Sequence, residues 1–402
     1  MAGSQVVVIG AGVAGTAAAF AATRAGARVS VIADRAGASA LYSGALDLFP
    51  WDSHAAPEAR AAAEDALLAD ATLVSFAAEL GVFRLGRSLL ATREGVVRRA
   101  LGSDPALLEL GALAGKRVGV FDVERDDWDA ELLAKSFAAS SFAERTRTAF
   151  VPVPVKMLRN GPERRIAAYD FAALHDNPTR LAALADALSA ARTSADAFLS
   201  GPWLGLEPAT LSALTAAVGV PVGETTSKLG GVAGARFERA RDRLFERLGV
   251  EVRSGRVASV SPLGERFAVA FDEELSLGAP RELEADAVVL AVGGVGAGGI
   301  ALSWDPERGR SGFELTLQAP VELALDGEIL TSFGSLHGTS LGGGFGTLER
   351  VGIAAGGAGN LVATGPGSGR LAAAGDCLAG RPRTVLQAVQ DGLVAGAAVA
   401  RD

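Results

Sequence analysis

The chain opens on a short β-branched run, Gln5–Ile9 (QVVVI), which is the length of a strand and too short for a helix. An alanine-rich helical stretch follows over 11–25, and a second β-type run covers 29–33. That order predicts a strand, a helix and a parallel strand buried on both faces. Further along the periods alternate. Residues 58–80 carry Leu67, Leu68, Leu73, Val74 and Phe76 in helical spacing, and across 81–220 β-type runs at 116–122 and 150–155 alternate with helical segments at 129–142 and 178–191. A long helix is expected at 235–248, then a strand, tight turn and strand over 249–260, with a further strand at 267–271. Residues 286–294 (DAVVLAVGG) read as a buried parallel strand running into glycines, strands are expected at 313–317 and 321–323, and a helix over 384–400 closes the chain.

The turn after the first strand gives that pattern a chemical meaning. Gly10, Gly12 and Gly15 stand at G-x-G-x-x-G spacing where the strand hands over to the helix, with Ala14 inside the motif. Gly10 permits a tight turn, Gly12 lets a pyrophosphate approach the backbone, and Gly15 lets the helix lie close on the sheet. Phosphates would meet free helix N–H groups there. Asp34, followed by Arg35 at the end of the second strand, is placed to accept hydrogen bonds from an adenosine ribose and disfavours a 2′-phosphate. Together these residues predict a dinucleotide, and a small-residue loop after them places Ser39, Ser43 and Gly44 where hydroxyls and bare backbone meet a phosphate or a flat ring.

The implied fold class is α/β: a discontinuous two-dinucleotide-binding-type, Rossmann-like FAD domain built from 1–52, 222–300 and 346–402. An inserted α/β cap domain, for substrate or partner docking, is expected from 53–221 and 301–345. Gly293, at the glycine end of the 286–294 strand, should approach the cofactor.

Composition narrows the partners. A net charge of −8 argues against nucleic-acid binding and against a basic face for anionic lipid. The one cysteine, Cys377, leaves no internal disulfide, no cysteine-ligated iron–sulfur cluster and no Cys-rich zinc site, so no metal site is expected. The apolar stretch 6–22 lacks a basic flank and reads as folded protein, and no long apolar run free of charges and turn glycines suggests a membrane span. A cytoplasmic location is expected, with any membrane contact made through a partner.

Of three histidines, His54 reads as a boundary-loop residue and His175 as a helix-entry or surface residue, whereas His337, in the glycine-rich SLHGTSLGGG, is placed to exchange protons with a substrate. Near the C-terminus, Gly375-Asp376 ends an apolar run before the last helix and resembles the flavin-ending signature, in which the aspartate accepts hydrogen bonds from ribityl hydroxyls. Arg381 and Arg383 follow, with guanidinium forks suited to a substrate phosphate or a flavin anion. The strand at 250–260 resembles the one that presents a backbone amide and carbonyl to the adenine in flavin-binding two-dinucleotide folds, which nominates Val257.

Three stretches carry a resemblance to the B subunit family of anaerobic glycerol-3-phosphate dehydrogenase. They are the first nucleotide unit with S-x-x-x-S-G-x-L-D-L after it, the segment FAALHDNP, and the arginine-paired helix that leads to LGVEVRSG, ADAVVLAVGG and GGIAL. The resemblance implies a flavoprotein subunit working beside a second flavoprotein and an iron–sulfur subunit. Such a complex oxidises sn-glycerol 3-phosphate to dihydroxyacetone phosphate and passes electrons towards quinone. After Gly375-Asp376 the chain departs from the family's glycine- and cysteine-rich turn. The family's flavin has been assigned as FMN, whereas the glycine triplet with Asp34 argues for FAD. Two other readings stay open: a stand-alone fumarate-reductase-type FAD oxidoreductase on another substrate, and a flavin-bearing structural subunit without turnover.

Overall fold

A computed structural model describes residues 3–50, 56–273, 280–305, 310–325, 328–329, 351–356, 359–362 and 369–400. The chain forms two compact units. The first contains Met1–Ser39, Asp47–Phe76 and Arg241–Asp402, and the second Ala40–Leu46 and Ala77–Ala240. Residues 56–76 and the described residues of 301–345 therefore fall in the first unit.

The first unit is built on a seven-stranded sheet whose five parallel strands run in the order Glu251–Leu263, Arg28–Ala33, Gln5–Ile9, Ala287–Leu290, Arg370–Ala373. The first strand in sequence lies at the centre. Its neighbours were added on one side and then the other, which opens a crevice at the carboxyl ends of Gln5–Ile9 and Ala287–Leu290, where such sheets take ligands. After Gln5 both strands are apolar because both faces are covered: Val6, Val7, Val8 and Val288, Val289, Leu290 are fully buried. One face carries the helices Val13–Arg24 and Val385–Ala400, which cross where Gly392 and Gly396 face the Ala14 and Ala18 carbonyls.

Two elements differ from the sequence expectation. Residues 249–260 make no tight turn. Glu251–Leu263 is one strand, parallel to Arg28–Ala33 over its first residues and antiparallel to Arg266–Glu273 over the rest. Gly255 serves close approach instead, since a Cβ there would stand 2.6 Å from the Asp272 carbonyl oxygen. The helical stretch 58–80 is two helices, Pro57–Leu68 and Ala71–Leu80. Asp70 breaks it by accepting hydrogen bonds from the Thr72 and Leu73 N–H groups (2.8 and 3.1 Å), an N-cap that restarts the helix.

The second unit contains a parallel sheet in the order Ala149–Pro154, Arg117–Asp122, Ala197–Ser200, Val222–Glu224 and a small antiparallel sheet of Ala45–Leu46, Val97–Ser103 and Arg84–Ala91. Inside this unit Arg236 is buried against Glu224 (2.8 Å) and Asp104 (3.3 Å). Removing one partner of such a group leaves a bare buried charge, at a cost of about 3–5 kcal/mol.

His175, expected at a helix entry or the surface, instead ends the helix Ala168–His175 and is only 1% exposed, stacked edge-on against Phe171, with Nδ1 donating to the Trp203 carbonyl (2.9 Å). Burial, seconded by the Arg180 guanidinium, holds its pKa down at about 4. The unfolded chain, with an ordinary histidine near 6.5, therefore takes up a proton first as pH falls, and stability is lost from about pH 6.5 down to the folded value. Urea unfolding is expected to show about 2 kcal/mol less stability from this group at pH 5 than at pH 7. His175→Gln should remove that component; an unchanged pH slope in the variant would contradict it.

Candidate functional site

The turn after Gln5–Ile9 takes its shape from its glycines. Gly10 has φ 107°, and a side chain there would run into the Ala291 carbonyl. A side chain at Gly15 would enter the Gly10 carbonyl group, so this glycine seats the helix on the turn. Gly12 differs from both. Its backbone is ordinary (φ −68°, ψ −176°), and a Cβ would meet only Ser39 Oγ, at 3.3 Å. Protein packing therefore does not require a glycine at this position, whereas the open space before it does.

That space is a cleft of about 200 Å³ in the first unit. Gly10, Gly12, Ala14, Asp34, Arg35, Ser39, Val257, Gly293 and Asp376 all line it. Ser39 Oγ accepts from the Val13 N–H (2.8 Å), which leaves its own hydroxyl proton for a ligand oxygen. Asp34 sits 3.5 Å from Arg35 Nε, and Arg35 donates to the Gly298 carbonyl (3.1 Å). Beside them the strand carrying Val257 shifts register before Ser259, and the Ala258 carbonyl accepts from the Gln318 N–H (2.9 Å).

Beside the glycine turn, Arg370–Ala373 runs into Gly375, whose φ of 73° and closeness to Ala14 (a Cβ would stand 2.7 Å from the Ala14 Cβ) both favour glycine. Asp376 follows in a short turn. Burial pushes its carboxyl pKa up, and the nearby Arg383 charge opposes this. Arg383, another lining residue, is fixed by donating to the Leu378 and Val351 carbonyls (both 2.9 Å). Cys377 is fully buried and its thiol is pushed up to about 12 by burial, so it is inert at neutral pH.

Other candidates stand elsewhere. Gly15 lies behind the turn. Ser43 and Gly44 belong to the second unit: the Ser43 carbonyl accepts from the Ser227 N–H (2.8 Å), the Gly44 carbonyl from the Asp104 N–H (2.7 Å) and the Tyr42 hydroxyl (2.9 Å). Arg381 does not line the cleft; it bonds Asn360 (3.4 Å) and lies 3.9 Å from Asp391. His337 lies outside the described residues, as does His54. Arg256, Thr316 and Leu317 line the cleft without a sequence signal, because nothing in local spacing brings 316–317 to the first strand.

Residues 5–72 match the family model of the FAD binding domain. No curated protein matches the chain. Similar solved structures include OxyS anhydrotetracycline hydroxylase from Streptomyces rimosus, at 14% identity over 75% of this chain and 35% of that one, TM-score 0.27. Others are 3-ketosteroid delta1-dehydrogenase from Sterolibacterium denitrificans (16% identity, 73% and 48%, TM-score 0.29) and AlpK (13% identity, 97% and 60%, TM-score 0.33). The chain spans 35% of the first of these and 48% of the second.

The cleft fits the cofactor of that domain. A glycine turn facing the cleft, a helix N-terminus behind it, an acid at the end of the second strand and Asp376 after the last strand suit a pyrophosphate, a ribose and a ribityl chain. FAD is the cofactor. Asp376→Ala is expected to raise the FAD dissociation constant about tenfold, the worth of a hydrogen bond to a charged acceptor, measured by flavin fluorescence titration. Unchanged affinity would remove the ribityl role.

Proposed function

We propose that the chain is an FAD-dependent oxidoreductase acting as one subunit of a complex that oxidises sn-glycerol 3-phosphate to dihydroxyacetone phosphate and passes electrons towards quinone. The observation that carries the redox reading is the cleft joining the glycine turn to Asp376, since a flavin rather than a nicotinamide cofactor accounts for an acid at the end of the last strand. The substrate rests on the three stretches that resemble the anaerobic glycerol-3-phosphate dehydrogenase family. One cysteine, buried and inert, accords with an iron–sulfur cluster held by a partner. Among the described residues no helix is long and apolar enough to cross a membrane, and in this reading contact with the quinone pool comes through the partners.

When bound, FAD supplies the hydride and electron chemistry. The chain's own residues supply position and charge. Gly12 and the helix behind it receive the pyrophosphate, and Asp376 takes ribityl hydroxyls. Arg383, held by two carbonyls, keeps a positive charge at that end, which favours reduced, anionic flavin. His337 is assigned to proton exchange, and Arg381, bonded to Asn360 outside the cleft, is left without a role in it.

The test is anaerobic addition of glycerol 3-phosphate to the FAD-loaded chain, alone and then with its partner proteins, followed by absorbance. Bleaching in either condition supports the substrate. A flavin that stays oxidised in both, yet is reduced by dithionite, contradicts it.

A further inference from the structure

We infer that Arg241 is a positioning residue for the cofactor pyrophosphate, acting through the peptide bond between Ala11 and Gly12; this rests on the FAD assignment. Arg241 lies on the helix Val232–Leu248, 230 residues from the glycine turn in sequence, and its Nη1 donates to the Ala11 carbonyl at 3.2 Å. The guanidinium is largely covered, at 15% exposure, and is held from behind by Asp242, which accepts from Nε at 2.8 Å.

A trans peptide group is planar, with its C=O and the next N–H on opposite sides. Fixing the Ala11 carbonyl on Arg241 therefore aims the Gly12 N–H the other way, at the open space before the turn. No described residue accepts from the Gly12 N–H or the Ala14 N–H. The guanidinium does two things at once: it sets the angle of the peptide plane before the ligand arrives, and it polarises the peptide so that its N–H is a stronger donor to an anion. The glycines allow this turn conformation but do not choose it, since a glycine-rich loop can flip its peptide planes at small cost. Arg241 chooses it. Arg241 does not line the cleft, so it acts without touching the cofactor.

The experiment compares the full-length wild type with Arg241→Met and Arg241→Lys by FAD titration, and by displacement of bound FAD with ADP and with adenosine, which lacks the phosphates. The melting temperature of each flavin-free chain is recorded beside it. The expected result for Arg241→Met is a rise of about tenfold or more in the dissociation constants of FAD and ADP, with adenosine unchanged. Arg241→Lys, which keeps the charge on a flexible stem, should recover part of the loss. If Arg241→Met unfolds, the Lys variant carries the same ADP-against-adenosine comparison. Wild-type FAD affinity in Arg241→Met, or equal losses for ADP and adenosine, would overturn the role while leaving the cofactor in place. A wild-type chain that takes up no FAD would overturn both.

Discussion

Gly12→Leu should leave the flavin-free chain as stable as wild type and raise its FAD dissociation constant at least about a hundredfold. The two halves of this expectation have different causes. Stability is spared because Gly12 has φ −68° and ψ −176°, a conformation open to any residue, and a Cβ there would touch only the end of the Ser39 side chain. Affinity is lost because the new side chain fills the space through which a pyrophosphate reaches the helix N-terminus. Overpacking of that kind costs about 3 kcal/mol or less in a yielding core and more against a rigid turn, and each 1.4 kcal/mol is about a factor of ten. Gly15→Ala is the contrast: its Cβ would enter the Gly10 carbonyl group, so it should destabilise the chain whether or not flavin is present. Thermal melting with FAD titration separates the two. A Gly12→Leu chain that keeps wild-type affinity would contradict the placement of the phosphates.

Gly396→Ala is expected to destabilise the chain by about 1–2 kcal/mol, although glycine to alanine in a helix interior ordinarily gains about 1 kcal/mol. The sign reverses because Val385–Ala400 and Val13–Arg24 cross with backbone almost against backbone. A Cβ at Gly396 would run into the Ala18 carbonyl and stand 2.8 Å from the Ala18 Cα, and none of those atoms belongs to a flexible side chain. Gly392 meets Ala14 and Ala17 in the same way. The helices would have to separate, and since both line the cleft, through Ala14 and Ala388, FAD affinity should fall with stability. Denaturant unfolding reads the first effect; a stabilised variant would contradict the close crossing.

Much of the site was legible because its chemistry lies where short-range patterns change. A β-branched run stopping at Gly10, an alanine-rich helix, and Asp34 at the end of the next strand are consecutive, so their spacing carries their geometry. Asp376 was legible for the same reason, at the end of an apolar run, although its meeting with Gly294 is long-range. The glycines of 249–260 were harder. Gly255 reads as a turn but is a place of close approach to Asp272, and only the neighbouring strand reveals which. The small-residue loop after Asp34 divides at residue 40: Ser39 holds the helix N-terminus, while Ser43 and Gly44 pair within the second unit through Ser227 and Asp104. Nothing local marks that division. Arg241 was illegible because it is one of several arginines on an amphipathic helix, and its contact with Ala11 exists only in the folded chain.

The measurement that tests the account most directly is the flavin content of the purified chain, by absorbance and by chromatography of what acid releases, with added FAD titrated into any chain recovered empty. The account predicts one FAD per chain. A colourless chain that takes up no FAD, or one that binds FMN in its place, would contradict it.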